Sequence, residues 1–466
     1  VVTELLPTGD ATRTDNAASV ALLRPATGAL LARIRLPAGS TVVRGVDLSP
    51  DGRWAYVAHA LGRYNLPTTH LDRGWVNTNA VTILDLRARR RYATVLLDLP
   101  SAGGADPWGL TVSRDGGSLW VALSGVHEVA RLDLRRLHAY LEGRIPADSP
   151  LLNPSEEYSL SAASTWKAIR EDPARRTDLA EDLSALHAAG ILERFAVKGR
   201  GPRGIALSSD GANCAAACYY SGTIVLFPAA SPRQQKVCVA GPLARETAER
   251  EGERLFHDAG LAFQGWLSCA TCHPDGRADG LNWDLLNDGV GNPKNTRSLV
   301  WAPRTPPMMS HAVRPTLDAA TVAGFRFIEF REPTARESRA VQAYLHALQP
   351  ARSPYRTDSG GLTPAAERGR RIFHSRAADC ARCHPPPLYT DLRSYDVGTR
   401  GKADSGGKMD TPTLVELWRT GPYLHDGRVP TLLDVLTRQN RGDRHGRTSH
   451  LSREQLRDLV EYLLSL

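Results

Sequence analysis

Cys269-Ala-Thr-Cys272-His273 and Cys380-Ala-Arg-Cys383-His384 are two copies of one pentad, C-x-x-C-H, in a chain of 466 residues with seven cysteines and 14 histidines. Two thiols at this spacing can each form a thioether to a haem vinyl group. The adjacent imidazole then lies under the iron as its proximal ligand. The competing reading is a zinc knuckle, but zinc takes four ligands per site and no second C-x-x-C accompanies either copy. The pattern predicts two covalently bound c-type haems, one on Cys269, Cys272 and His273, the other on Cys380, Cys383 and His384.

Working outward from the pentads, the whole C-terminal half reads twice. An amphipathic helix, Arg245 to Phe256, leads into the first copy, and Ala365 to Phe373 leads into the second. Gly252 corresponds to Gly369 and His273 to His384, offsets of 117 and 111. From Thr296-Arg-Ser-Leu and Thr411-Pro-Thr-Leu an offset of 115 continues through Arg304/Arg419 to Pro315-Thr-Leu and Pro430-Thr-Leu. Tyr344-Leu and Tyr462-Leu close the match. The expected fold class is therefore multidomain: an N-terminal all-β domain over 1–242, then two mainly α-helical cytochrome c domains, 243–352 and 353–466, related by internal duplication. Such small modules fold because the haem supplies much of their apolar core.

Residues 1–242 are rich in short β runs, such as Trp54-Ala-Tyr-Val-Ala, Leu119-Trp-Val-Ala-Leu and Thr223-Ile-Val-Leu-Phe. A weak unit recurs: Val46-Asp-Leu-Ser-Pro-Asp-Gly52, Gly109-Leu-Thr-Val-Ser-Arg-Asp-Gly116 and Gly204-Ile-Ala-Leu-Ser-Ser-Asp-Gly211. The Asp-Gly pairs supply hairpin turns, and the repetition suggests blades of a propeller. This half resembles the YVTN-type β-propellers of bacterial extracytoplasmic proteins, with three clear copies of the unit. Residues 152–195, from Ser155-Glu-Glu to Leu192-Glu-Arg, read as a helical insertion. Cys214 and Cys218 share one face of a strand about 13 Å apart, too far to pair with each other. Either could pair with Cys238 on a neighbouring strand, but buried packing residues are the preferred reading.

The formal net charge is +8. It favours an acidic redox partner, such as a small cytochrome or cupredoxin, through long-range steering, and it also serves solubility. No basic run interleaves with aromatics, so nucleic acid is not an expected partner. No apolar run approaches the roughly 18 residues of a membrane span. Val1-Val2 reads as a processed or truncated start. Covalent c-type haem is assembled outside the cytoplasm, which points to the periplasm or cell surface.

The matches over 243–466 resemble the bacterial di-haem cytochrome c peroxidase family, which includes the MauG-type oxidases. The most specific stretch is Asp410-Thr-Pro-Thr-Leu-Val-Glu-Leu-Trp-Arg-Thr-Gly-Pro-Tyr-Leu-His-Asp-Gly427. The resemblance implies an oxidant such as hydrogen peroxide at the first haem and electron relay at the second. It implies His445 as distal ligand of the second haem, with His450 and Met409 as alternatives and His425 near the haem edge. For the first haem it leaves an open iron or Met308, Met309 or His311, and Met309 is the preferred ligand. Glu329 and Glu332 are candidate acid–base groups for peroxide cleavage; surface carboxylates are the bland alternative. Asn295 and Thr411 fall where the family binds an interfacial calcium. The chain departs from the family at Ser310, where the inter-haem tryptophan would stand; Trp283, Trp301 and Trp418 are the candidates to replace it.

Overall fold

The computed structural model describes residues 1–154, 160–242, 245–285 and 291–466. Ser155, where the insertion was expected to open, and position 243, the expected domain boundary, lie outside the described residues.

The N-terminal half is a succession of antiparallel meanders. The first sheet holds β1 (Val2–Thr3), β2 (Ser19–Leu23) and β3 (Leu30–Arg35). The second holds β4 (Ser40–Leu48), β5 (Trp54–Gly62), β6 (Asn77–Asp85) and β7 (Arg90–Leu96). The third holds β8 (Pro107–Val112), β9 (Ser118–Leu123), β10 (Glu128–Asp133) and β11 (Leu192–Ala196). The fourth holds β12 (Pro202–Leu207), β13 (Asn213–Cys218), β14 (Thr223–Pro228) and β15 (Lys236–Val239).

The repeated unit of sequence is the first hairpin of the last three sheets. In each, a serine hydroxyl donates to the aspartate two residues on, at 2.5 Å for Ser49–Asp51, 2.6 Å for Ser113–Asp115 and 2.5 Å for Ser208–Asp210. The same serine oxygen accepts the amide that opens the next strand, from Trp54, Ser118 and Asn213. The glycines near the start of the unit let neighbouring sheets meet backbone to backbone. A Cβ on Gly45 would stand 2.2 Å from the Trp108 carbonyl oxygen, and one on Gly109 would stand 2.4 Å from that of Arg203.

The helical insertion begins earlier than 152. Helix α1 (Leu134–Leu141) follows β10 directly, capped by the Asp133 carboxylate, and α2 (Leu160–Glu171) and α3 (Ala185–Ala188) follow it. Leu192-Glu-Arg is not helical: Leu192 to Ala196 pair with β10 and complete the third sheet, with Leu192 and Phe195 turned inward. Cys214 and Cys218 are buried on β13 among Trp120, Val225 and Phe227. Cys238 lies on β15, with β14 between it and β13, so no disulfide links them.

The C-terminal half is helical. Helix α4 (Ala248–Phe256), the turn α5 (Cys269–Cys272), α6 (Leu317–Phe327) and α7 (Ala335–Ala347) surround the first pentad. Helices α8 (Pro364–Phe373), α9 (Leu432–Leu436) and α10 (Arg453–Leu464) surround the second. Helix α4 crosses α7 at Gly252, where a Cβ would stand 1.8 Å from the Ala340 carbonyl oxygen; α8 crosses α10 at Gly369, where a Cβ would stand 2.0 Å from that of Asp458. Beside each crossing a phenylalanine packs on a tyrosine, Phe256 on Tyr344 at 5.2 Å and Phe373 on Tyr462 at 5.3 Å. The bridges Met308–Arg314 and Tyr423–Val429 also sit 115 residues apart.

The strand-rich half is built into the first helical module. Thr41 Oγ1 and Asn16 Nδ2 donate to the carbonyls of Asp279 and Gly280, and the Gly103 amide donates to Gln264. Tyr64, Leu71 and Val76 share one apolar cluster with Leu267, Leu281 and Trp283, against which Cys272 packs.

At the helix crossings there is no room for one methyl group. Gly252→Ala and Gly369→Ala should each destabilise the fold by about 2 kcal/mol or more, read as a lower melting temperature. Gly406→Ala, with nothing within 4 Å, should change stability by less than about 0.5 kcal/mol.

Candidate functional site

The first pentad forms the turn α5, and both halves of the chain bury it. Ser268 caps the turn: its amide donates to Thr271 Oγ1 at 2.9 Å, and its own hydroxyl donates to Asp106 Oδ2 at 2.6 Å. His273 Nδ1 lies 3.0 Å from the Arg277 carbonyl oxygen. A carbonyl can only accept, so Nδ1 carries the proton and Nε2 keeps its lone pair for a metal.

Cys269 packs against an apolar cluster of Leu255, Phe256, Met308, Phe325 and Leu345. Met309 joins the edge of this cluster, in the left-handed backbone region at φ 73°. Glu329 reaches the same place. It is 1 % exposed, its Oε1 accepts from Cys269 Sγ at 3.0 Å, and its Oε2 has no partner among the described residues. Burial pushes its pKa up to about 7, because an ionised carboxylate there loses its hydration. Glu332 does not enter the site. It is exposed and pairs with Arg326 at 2.6 Å, since the chain turns outward after Phe330.

At the second pentad, His384 Nδ1 donates to the Tyr389 carbonyl at 2.9 Å, again leaving Nε2 available. His445 faces it, with ring centroids 6.3 Å apart. Two imidazoles that share one metal through bonds of about 2 Å have centroids roughly 6 Å apart, so the pair fits an iron between them. The His445 amide donates to Asn440 Oδ1 at 2.8 Å, which fixes the loop. Burial holds the His445 pKa down at about 4, and the neutral form is the one that ligates. His450 is exposed, and Met409 is buried on a short strand, Met409–Asp410, paired with Ser394–Tyr395. The Trp418 Nε1–H is buried without an acceptor among the described residues, as a donor awaiting a haem carboxylate would be.

Between the two modules lies a carboxylate that the sequence did not advertise. Asp404 accepts from His425 Nε2 at 2.8 Å and from Asn292 Nδ2 at 3.2 Å, and it contacts His311 Nε2 at 3.2 Å and Lys294 Nζ at 3.1 Å. Burial works against the charge, but the Gly401 amide, which donates to Oδ2 at 2.6 Å, together with His425, Lys294 and Asn292, holds the Asp404 pKa well below the usual carboxylate range. Here His311 and His425 are structural partners of one anion, 6.2 Å apart.

A second buried pair ties the first pentad to the second module. Arg277, whose carbonyl holds His273, grips Glu416 through Nη2 at 2.7 Å and Nε at 2.9 Å, and Glu416 is 0 % exposed. The Ser310 carbonyl accepts from the Asp410 amide at 2.9 Å. Among the candidate replacements for the missing tryptophan, Trp283 donates to Asp279 and lies against Gly62 of the strand-rich half, while Trp301 is stacked under Arg304. The Asn295 amide donates to His425, and Thr411 Oγ1 donates to Arg393.

Comparison with known proteins places these features in a family. The RoxA-like, cytochrome c-like family matches residues 410–445. Hydrazine synthase subunit gamma of Kuenenia stuttgartiensis is 34% identical over 274 residues, covering 47% of this chain and 77% of the relative. Methylamine utilization protein MauG of Methylophilus methylotrophus is 27% identical over 276 residues, covering 49% of this chain and 80% of that one. A solved structure of Kuenenia stuttgartiensis hydrazine synthase, pressurised with xenon, is 31% identical, with a TM-score of 0.45 over 48% of this chain and 89% of that one.

Removing the shared anion at the module interface should cost stability well beyond a surface pair. Asp404→Ala is expected to destabilise the protein by about 3 kcal/mol in denaturant unfolding. A change below about 0.5 kcal/mol would show that the two imidazoles and the ammonium do not depend on it.

Proposed function

Since the chain belongs to the di-haem cytochrome c family of hydrazine synthase subunit gamma, MauG and the cytochrome c peroxidases, we propose that it is an extracytoplasmic c-type oxidoreductase of the peroxidase/MauG type. Cys269, Cys272 and His273 hold one haem, and Cys380, Cys383 and His384 hold the other. Each bound haem supplies a one-electron redox centre. With haem bound, the site of Cys269, Cys272 and His273 would receive the oxidant, and the site of Cys380, Cys383 and His384 would exchange electrons with a small acidic redox protein, to which the +8 charge of this chain is complementary. The paired helix crossings at Gly252 and Gly369 support an internal duplication, and the successive meanders support a propeller-like arrangement of the first half.

One observation carries the division of labour. His445 stands opposite His384 at 6.3 Å, which saturates the second site with two imidazoles. The positions 115 and 118 residues earlier hold Phe330 and Phe327, which cannot ligate, so the first site keeps room for an oxidant. Phe330 packs at the cluster that also takes Cys272. Glu329 is a carboxyl placed beside Cys269 at this site. Once Cys269 is a thioether it no longer donates, and Glu329 loses a bond that had lowered its pKa. Glu329 takes a proton from peroxide and returns it to the departing oxygen. Ser310 at the relay position favours a second reading, in which both haems only transfer electrons.

Reaction of the ferric holoprotein with hydrogen peroxide, followed by stopped flow, separates these readings. The proton-accepting form of Glu329 dominates above its pKa, so the rate should rise with pH to an inflection above neutrality and then level off. Glu329→Gln should lower the rate about 100-fold and abolish the inflection. No reaction with peroxide in the wild type would leave electron transfer as the function.

A further inference from the structure

The two attachment turns are held in different ways. The second holds itself: Asp379 and Arg382, which bracket the turn, pair at 3.3 Å, with the Arg382 side chain 71% exposed. At the corresponding positions of the first turn stand Ser268 and Thr271, 0 % and 2 % exposed. Neither can close such a pair. Both hydroxyls instead reach across to one residue of the strand-rich half. Ser268 Oγ donates to Asp106 Oδ2 at 2.6 Å, and Thr271 Oγ1 donates to Asp106 Oδ1 at 2.7 Å. The two side chains lie 162 and 165 residues from Asp106 in sequence.

Asp106 is itself fixed from the other side. It sits at φ 57°, in the left-handed region that a side chain disfavours. Its amide donates to Asn79 Oδ1 at 3.2 Å, and its carbonyl accepts from the Ser124 amide at 3.0 Å. Gly125 leaves room for the carboxylate, since a Cβ there would stand 2.8 Å from Oδ2. Next along the chain, Trp108 is stacked by Arg44 at 3.8 Å and Arg203 at 4.0 Å, and Arg44 goes on to Asp275 in the first haem loop at 3.0 Å. Both carboxylate oxygens accept hydroxyl protons, which is the bonding of the ionised form.

We propose that Asp106 is a positioning residue of the first haem: it fixes the Cys269–Cys272 turn from the strand-rich half and places a buried negative charge there that lowers the reduction potential of that haem alone. This rests on the reading that Cys269 and Cys272 carry a haem. A fixed anion favours the ferric over the ferrous iron, and in a water-excluded setting its field is weakly screened. The second haem, whose turn is neutralised by its own Asp379–Arg382 pair, serves as an internal reference.

Spectroelectrochemical titration of the holoprotein tests this haem by haem. Asp106→Asn keeps the size and one acceptor but removes the charge, and should raise the first haem's potential by about tenfold in its one-electron equilibrium, about 59 mV, with the second haem unmoved. Ser268→Ala leaves the charge and removes one hydroxyl that screens it, so it should shift the same haem downward. Thr271→Ser keeps the bond and should shift nothing. An unmoved first haem in Asp106→Asn, or an equal shift of both haems, overturns the proposal; if Asp106→Asn does not fold, an unmoved first haem in Ser268→Ala does so. A wild-type chain whose mass lacks porphyrin on the 269–272 peptide overturns the underlying assignment instead.

Discussion

The buried turn Cys269–Cys272 is the constraint around which the two halves of this chain are arranged. Its polar groups have left water, so each needs a partner. The strand-rich half supplies them through Asp106. Around that point the contact widens. Gly103 meets Gln264, Gly125 meets Ala259, and Trp266 fits against Gly74, where no side chain could stand. The sheets are therefore part of the first site's wall.

The asymmetry between the two helical modules follows from the same arrangement. The first module is enclosed by sheets on one side and by the second module on the other, through Arg277–Glu416 and the Asp404 cluster. Its interior carries an uncompensated carboxyl, Glu329, and a run of apolar side chains. The second module is closed by its own loop, which brings His445 over His384. One backbone plan thus gives a site with a buried carboxyl and a site with two facing imidazoles. Buried ion pairs at the junction do not have to add net stability. Their directional bonds fix how the modules meet.

Much of this was legible in the sequence because the signals are local. The pentads, the constant offset from Thr296 to Pro315, and the Ser-x-Asp-Gly turns each depend on neighbours a few residues apart. His445 came from the family resemblance, and the structure brings its ring to 6.3 Å from that of His384. Met308 and Met309 were legible as residues of the first pocket, though their packing among Leu255 and Phe256 was not. What stayed hidden is long-range. Asp404 sits in the glycine-rich polar segment Gly401-Lys-Ala-Asp-Ser-Gly-Gly, where a carboxylate normally faces water. Asp106 precedes an ordinary strand. Glu416 occupies a position whose counterpart is Trp301, so repeat matching passed over it. The insertion was misplaced because α1 follows β10 without a polar break, while Leu192-Glu-Arg-Phe, with its apolar residues three apart, lacks the alternation of a half-buried strand; Leu192 and Phe195 enter separate clusters on the two faces. Glu329 and Glu332 looked alike in sequence; only burial separates them.

The central claim is that two haems sit in unequal surroundings, one between two facing histidines and one open. Low-temperature electron paramagnetic resonance of the resting ferric holoprotein tests it most directly. The account predicts one low-spin signal of bis-imidazole type and one high-spin signal, in equal amounts. Two low-spin signals, or two high-spin ones, would contradict it.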